Sequence, residues 1–166
     1  MIYVYTGLSA CKTTSALGLC LRALGHGKKV VIIQFMKGRK DIGEYKIRNK
    51  LKNYEIYQFG RKEFVNLNNP SKKDKDLAKK GLEFAKTIIK NKPFIMVLDE
   101  INLAIKVGLL NEKDVLDFLD NIPKNVNVIL TGRYASKKII KKSDIAIETR
   151  ELKAPKKYPY IKGLQY

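Results

Sequence analysis

The chain has 166 residues, 45% hydrophobic and 30% charged, with a formal net charge of +18 and two cysteines. This is one domain's length, enough to bury a proper core, and an ordinary globular composition. No apolar run approaches the roughly 20 residues that span a bilayer. The N-terminus opens directly on strand-like sequence with no basic segment and cleavage site, so the expected compartment is the cytoplasm. Cys11 and Cys20 lie on or beside one expected helix, at a separation that does not suit a disulfide. The charge admits a polyanionic partner. The lysines, however, are spread through nearly every polar face, and no lysine stripe with interleaved aromatics stands out.

In chain order, 1–5 is a short apolar strand, followed by the loop "TGLSACKTT" and a helical pattern over 12–24. Strands are expected at 28–35, 54–59, 94–100, 126–132 and 144–150, several of them continuous apolar runs of the kind covered on both faces. Helices are expected at 73–90, 112–121 and 136–141, with Ser71 and Asp74 as a start signal and Pro93 as a stop. The stretch 60–69 is the longest without a period and reads as a functional loop; the tail after Arg150 reads as irregular. Alternating strands and helices imply right-handed crossovers and a mostly parallel sheet, an α/β fold in a single domain over 1–166.

Three polar clusters converge on one edge of such a sheet. Backbone N–H groups in a strand-to-helix loop face an anion, and the helix dipole adds to the attraction. Lys12 would reach phosphates there and the Thr13 hydroxyl would ligate Mg²⁺. The usual loop pattern, G-x-x-x-x-G-K-[ST], is broken, because Thr6 and Cys11 stand at its glycine positions. Asp99 and Glu100 end a buried strand, where an acid meets the metal on nucleotide phosphates. The segment "LTGR" brings Arg133 to the same edge. His26, the single histidine, sits in "GHG" and reads as a turn residue. No serine or cysteine has a plausible histidine partner, so no hydrolytic triad is available and no general base is evident.

These segments carry a resemblance. "VYTGLSACKTTSALGLCLRALGHGKKVVIIQFMKG", "FGRKEFVNLNNPS", "VLDEINLAIKVGLL" and "VILTGRYAS" together resemble the P-loop ATP:corrinoid adenosyltransferases, in order and over nearly the whole chain. That family's loop runs TG-x-G-K-G-K-T-T. The resemblance implies a three-layer P-loop (RecA-like) fold. It also implies transfer of the 5′-deoxyadenosyl group of ATP to the Co(I) of a corrinoid, with triphosphate released, in adenosylcobalamin biosynthesis or salvage. Cobalt is then the nucleophile, which accounts for the missing base.

By position, Thr6, Gly7, Leu8, Ser9, Ala10, Cys11, Lys12, Thr13 and Thr14 match the ATP loop. Thr13 and Glu100 match metal-binding residues for Mg²⁺ or Mn²⁺, with Asp99 close by. Arg22 and Arg133 match arginines near the nucleotide, and Phe64 an aromatic that strips the lower ligand of Co(II). Lys12, Glu100 and Arg133 are the expected catalytic set. A homodimer and a reductase partner are implied. The sequence departs from the family at Ser9, Ala10 and Cys11, at Asn66 where tryptophan is common, and at Ala154 in a shortened tail. Two other readings stay open here: a paralogue that binds nucleotide or corrinoid without transfer, and a RecA-like module that binds nucleic acid.

Overall fold

The computed structural model describes residues 1–164. Among these, six strands form one sheet: β1 (Ile2–Thr6), β2 (Val30–Phe35), β3 (Tyr54–Phe59), β4 (Ile95–Asp99), β5 (Asn127–Thr131) and β6 (Ile145–Glu148). Their spatial order is β3-β2-β4-β5-β1-β6, and every pairing is parallel. The sheet is therefore more uniform than the mostly parallel one expected. The helices are α1 (Lys12–Gly25), α2 (Gly43–Lys46), α3 (Lys72–Ile88), α4 (Ile101–Lys106), α5 (Glu112–Asp120) and α6 (Lys137–Lys142).

The period of two along each strand divides the core into two layers. Val30 and Ile32, Tyr54 and Ile56, Ile95 and Val97, and Ile129 face α1, where Ala16, Cys20 and Ala23 meet them. Val31, Ile33 and Phe35, Met96 and Leu98, and Val128 and Leu130 face the opposite layer, with Ala78, Leu82 and Ala85 of α3. Helices on both faces of a parallel sheet make the three-layer α/β fold that the resemblance implied.

Ser71 begins α3 with a reciprocal capping box: its hydroxyl accepts from the Asp74 N–H, and Asp74 Oδ2 accepts from the Ser71 N–H. The short helices α2 and α4 are the elements that hydrophobic period did not reveal. They are four and six residues long. Both cysteines are free. The tail after Arg150 has no strand or helix among the described residues, as expected, and β6 stops two residues short of Arg150; Gln165 and Tyr166, the end of the tail resemblance, lie outside them. Among the described residues no helix is long and apolar enough to cross a membrane.

Candidate phosphate site at the sheet edge

On the face that meets α1, several of the apolar columns end in a polar side chain. Gln58 is the last residue of β3 on this face, Gln34 that of β2 beside it, Asp99 that of β4 in register with Gln34, and Thr131 that of β5. These groups bond to one another along the edge. Gln58 Nε2 donates to Gln34 Oε1 over 3.0 Å, and Gln34 Nε2 to Asp99 Oδ2 over 3.0 Å. Thr131 Oγ1 donates to Asp99 Oδ1 over 2.7 Å, and Thr13 Oγ1, from the first turn of α1, donates to the same oxygen over 2.8 Å. Lys37 Nζ completes the set with an ion pair of 2.7 Å to Asp99 Oδ2. Asp99 is fully buried and accepts from four donors. Burial alone would raise its pKa, but Lys37 and these hydrogen bonds outweigh burial and hold the carboxyl below its ordinary value.

Glu100 has the opposite environment. It caps α4 from a left-handed backbone (φ 64°), its N–H donates to Thr131 Oγ1 over 2.9 Å, and its buried Oε2 has no partner. Burial first, and then the nearby Asp99, raise its pKa, against the opposing pull of Lys37, Lys12 and Arg133. A buried carboxylate oxygen without a donor is a place for a cation. Among the described residues no three His, Cys, Asp or Glu side chains gather as a metal cluster. A cation here would take its further ligands from Thr13, phosphate and water, as Mg²⁺ does at nucleotide sites. Asn102, two residues on, is buried with both polar side-chain atoms unpartnered.

The loop ahead of α1 is held from both sides. Thr149 donates to the Thr6 carbonyl from its N–H (2.8 Å) and from its hydroxyl (3.0 Å), while Thr6 Oγ1 accepts from Ala135 N over 3.1 Å. Gly7 lies at φ 105°, pressed so close to Thr149 that any Cβ would overlap its carbonyl oxygen. Cys11, in a family glycine position, lies at φ 77° and caps α1 without a side-chain bond. Ser9 is not among the residues with positive φ. Its replacement of glycine therefore brings none of the strain expected of such a position. The Lys12 ammonium folds back onto the Ser9 carbonyl. Burial lowers the Lys12 pKa; Glu100 opposes that shift and Arg133 adds to it, so the three charges share one locality.

Left-handed backbone concentrates at this edge. Cys11 (φ 77°), Met36 (62°), Glu100 (64°) and Tyr134 (62°) each follow a strand's C-terminal end. Each such residue costs on the order of 1–2 kcal/mol, a strain that clusters at functional sites.

The structure thus brings Thr6, Gly7, Leu8, Ser9, Ala10, Cys11, Lys12, Thr13, Thr14, Asp99, Glu100 and Arg133 to one end of the sheet. It does not bring Arg22 there. Arg22 lies about 15 Å along α1 from Lys12. It lines a cavity of about 680 Å³ with Met1, Tyr3, His26 and Phe94, at the opposite edge. The helix that starts at the loop carries its last turn away from it. Phe64 lies on the loop that follows β3, and β3 is four strands from β1 along the sheet. Its ring is 95% exposed, while Val65 anchors the loop in the core. Asn66 shapes that loop, accepting from the N–H of Asn68 (3.1 Å) and Asn69 (3.3 Å). His26 is the C-cap of α1, a turn residue as expected. Lys37, Gln34 and Thr131 join the site without having been expected from the sequence. The signal for them was a polar side chain at the last inward position of an apolar strand, or just beyond it.

A three-layer parallel sheet with a lysine-threonine loop after its first strand and paired acids at the end of the strand two places away defines a P-loop nucleotide-binding protein. Within that class the whole sequence, residues 1–166, matches the family model described as ATP:corrinoid adenosyltransferase BtuR/CobO/CobP. It is similar to a corrinoid adenosyltransferase of Sinorhizobium sp., 31% identical over 159 residues, covering 93% of this chain and 74% of the relative. A corrinoid adenosyltransferase of Escherichia coli strain K12 is 32% identical over 155 residues, 92% of this chain and 78% of the relative. One of Pseudomonas aeruginosa is 30% identical over 149 residues, 89% and 73% of the two chains. The chain belongs to the ATP:corrinoid adenosyltransferase family.

Proposed function

We propose that the protein transfers the 5′-deoxyadenosyl group of ATP to the Co(I) of a corrinoid and releases triphosphate. The observation that carries this is the meeting of Lys12, Arg133 and the unpartnered Glu100 Oε2 beside the α1 N-terminus. Cationic side chains and loop N–H groups hold the triphosphate, the leaving group on which negative charge grows. Thr13 and Glu100 hold Mg²⁺ or Mn²⁺, which neutralises part of that charge. Asp99 has no free oxygen and fixes the Thr13 hydroxyl instead of ligating the metal directly. The corrinoid is the nucleophile, so no protein base is needed. Phe64, exposed on the loop after β3, is free to meet the corrinoid.

A single domain over 1–166, a homodimer, a reductase partner and a cytoplasmic setting complete the reading, supported by the family resemblance. Light scattering of the purified protein tests the dimer.

The direct test is incubation with ATP, Mg²⁺ and chemically reduced cobalamin, with the spectrum followed for a cobalt–carbon bond. ATP binding with no such bond would move the protein to the non-transferring reading. Phe64→Ala should spare transfer to chemically generated Co(I) and impair the reaction started from Co(II). Equal losses from both would remove Phe64 from ligand stripping.

A further inference from the structure

The loop after β2 carries a cation to which the reading above gives no task. Met36 adopts φ 62° directly after Phe35, and this left-handed turn reverses the chain. Gly38 then passes so close to Gly60 that a side chain on either would overlap the other loop's backbone. Two glycines in contact thus lock the turn that aims Lys37 back over the sheet edge. Its ammonium lies 2.7 Å from Asp99 Oδ2 and 3.3 Å from Thr13 Oγ1, to which it donates. The Thr13 hydrogen already goes to Asp99, so Lys37 stands on an oxygen lone pair that a metal ion would use.

The charge of the locality points the same way. Lys37 acts on both Asp99 and Glu100, and Lys12 and Arg133 act on Glu100, while Glu44 and Glu151 lie near Lys37 and Lys12 in turn. A bare divalent cation meets the Lys37 ammonium on the oxygens it would use. A metal–ATP complex brings phosphates that attract that ammonium.

We propose that Lys37 is a built-in counter-cation that keeps free divalent metal off the Thr13 hydroxyl until the triphosphate arrives with it. The proposal rests on the reading that Thr13 and Glu100 hold the cation of ATP. With no nucleotide the ammonium occupies the place between hydroxyl and carboxylate. When the nucleotide binds, its phosphates draw the ammonium off, and the metal enters as part of the complex. Metal and nucleotide then bind as one unit, and free metal binds poorly.

Mn²⁺ serves as the probe, its free concentration read by electron paramagnetic resonance. Wild-type protein should bind Mn²⁺ weakly without ATP. Lys37→Met, which keeps the chain length and removes the charge, should bind Mn²⁺ alone at least tenfold more tightly and MnATP several-fold more weakly. An unchanged or weaker affinity for Mn²⁺ alone overturns the proposal. Crystals of the wild-type protein with Mn²⁺ give a second measurement that needs no variant. The anomalous peak beside Thr13 should appear only when ATP is present, with Lys37 moved off Thr13. A peak without ATP, or a Lys37–Thr13 bond that persists beside the metal, also overturns it. Wild-type protein that binds no MnATP refutes the phosphate-site reading itself. MnATP binding together with unchanged Mn²⁺ affinity in Lys37→Met refutes the role of Lys37 alone.

Discussion

Thr13 Oγ1 donates to Asp99 Oδ1 over 2.8 Å, tying the first turn of α1 to the end of β4. Through this bond a fully buried carboxylate orients the hydroxyl that faces phosphate and metal. Asp99→Asn keeps the shape but removes the charge that pairs with Lys37 and puts an amide NH₂ where two of the four donors now bond. Leaving the half-buried Lys37 ammonium without its counter-charge costs about 1–3 kcal/mol. The variant should melt several degrees lower and lose MgATP binding, measured by calorimetry. Unchanged MgATP affinity would detach Asp99 from the site.

Lys12→Ala should abolish MgATP binding and adenosyl transfer together, because the triphosphate loses its most buried side-chain cation. Isothermal titration is the check. Full binding in this variant would mean that the loop holds nothing through Lys12.

Glu100→Gln removes a buried charge whose Oε2 has no partner. The nucleotide-free variant should be more stable by about 1 kcal/mol, a rise of roughly 2–4 °C in Tm for a domain of this size. The same change should weaken metal-dependent ATP binding at least tenfold. A fall in both stability and binding would mean that the carboxylate is structurally satisfied.

Cys11→Gly relieves an exposed left-handed residue and should stabilise the protein by about 1 kcal/mol and tighten MgATP up to about tenfold. Ser9→Gly should leave affinity unchanged, because Ser9 has no positive φ to relieve. Alkylation gives a test without a mutant. Cys20 is buried, with its thiol pushed up to about 12, so exposed Cys11 should react selectively, and MgATP should protect it. Mass spectrometry reads the outcome, and equal labelling with and without nucleotide counts against a loop that holds phosphate.

Arg61 clamps the loop that carries Phe64 to the start of α3, donating to Asp74 through Nε (2.8 Å) and Nη2 (3.2 Å). The Arg61 guanidinium, then Ser71, hold the Asp74 carboxyl near pH 2, against the opposing effect of burial. Its folded pKa lies below its unfolded value of about 3.9, so the folded state binds fewer protons between the two. The contribution is complete above about pH 4 and is lost as pH falls toward 2. Asp74→Asn should be less stable by about 2 kcal/mol at pH 7, with the gap to wild type closing below pH 4 in denaturant titrations. A gap independent of pH would assign the loss to packing.

Much of this protein was legible along the chain. The apolar strands, the capping box at Ser71 and Asp74, the lysine-threonine loop and the acids at the end of β4 are local features, written by period and by turn chemistry. The misfit of Cys11 was legible too, because a helix N-terminus entered from a phosphate loop imposes its own backbone shape. Where the sequence was silent, the cause was distance along the chain. Strand order and register decide that Gln34, Gln58, Asp99 and Thr131 fall in one row, and no local pattern encodes which strands are neighbours. Tertiary structure alone assigned the adjacent acids different work, since Asp99 points into four donors and Glu100 turns out through a left-handed cap. It also carried Arg22 to the far edge, because a straight helix separates its ends by its length. And it placed Lys37 on Thr13, because two loops distant in sequence cross where both carry glycine.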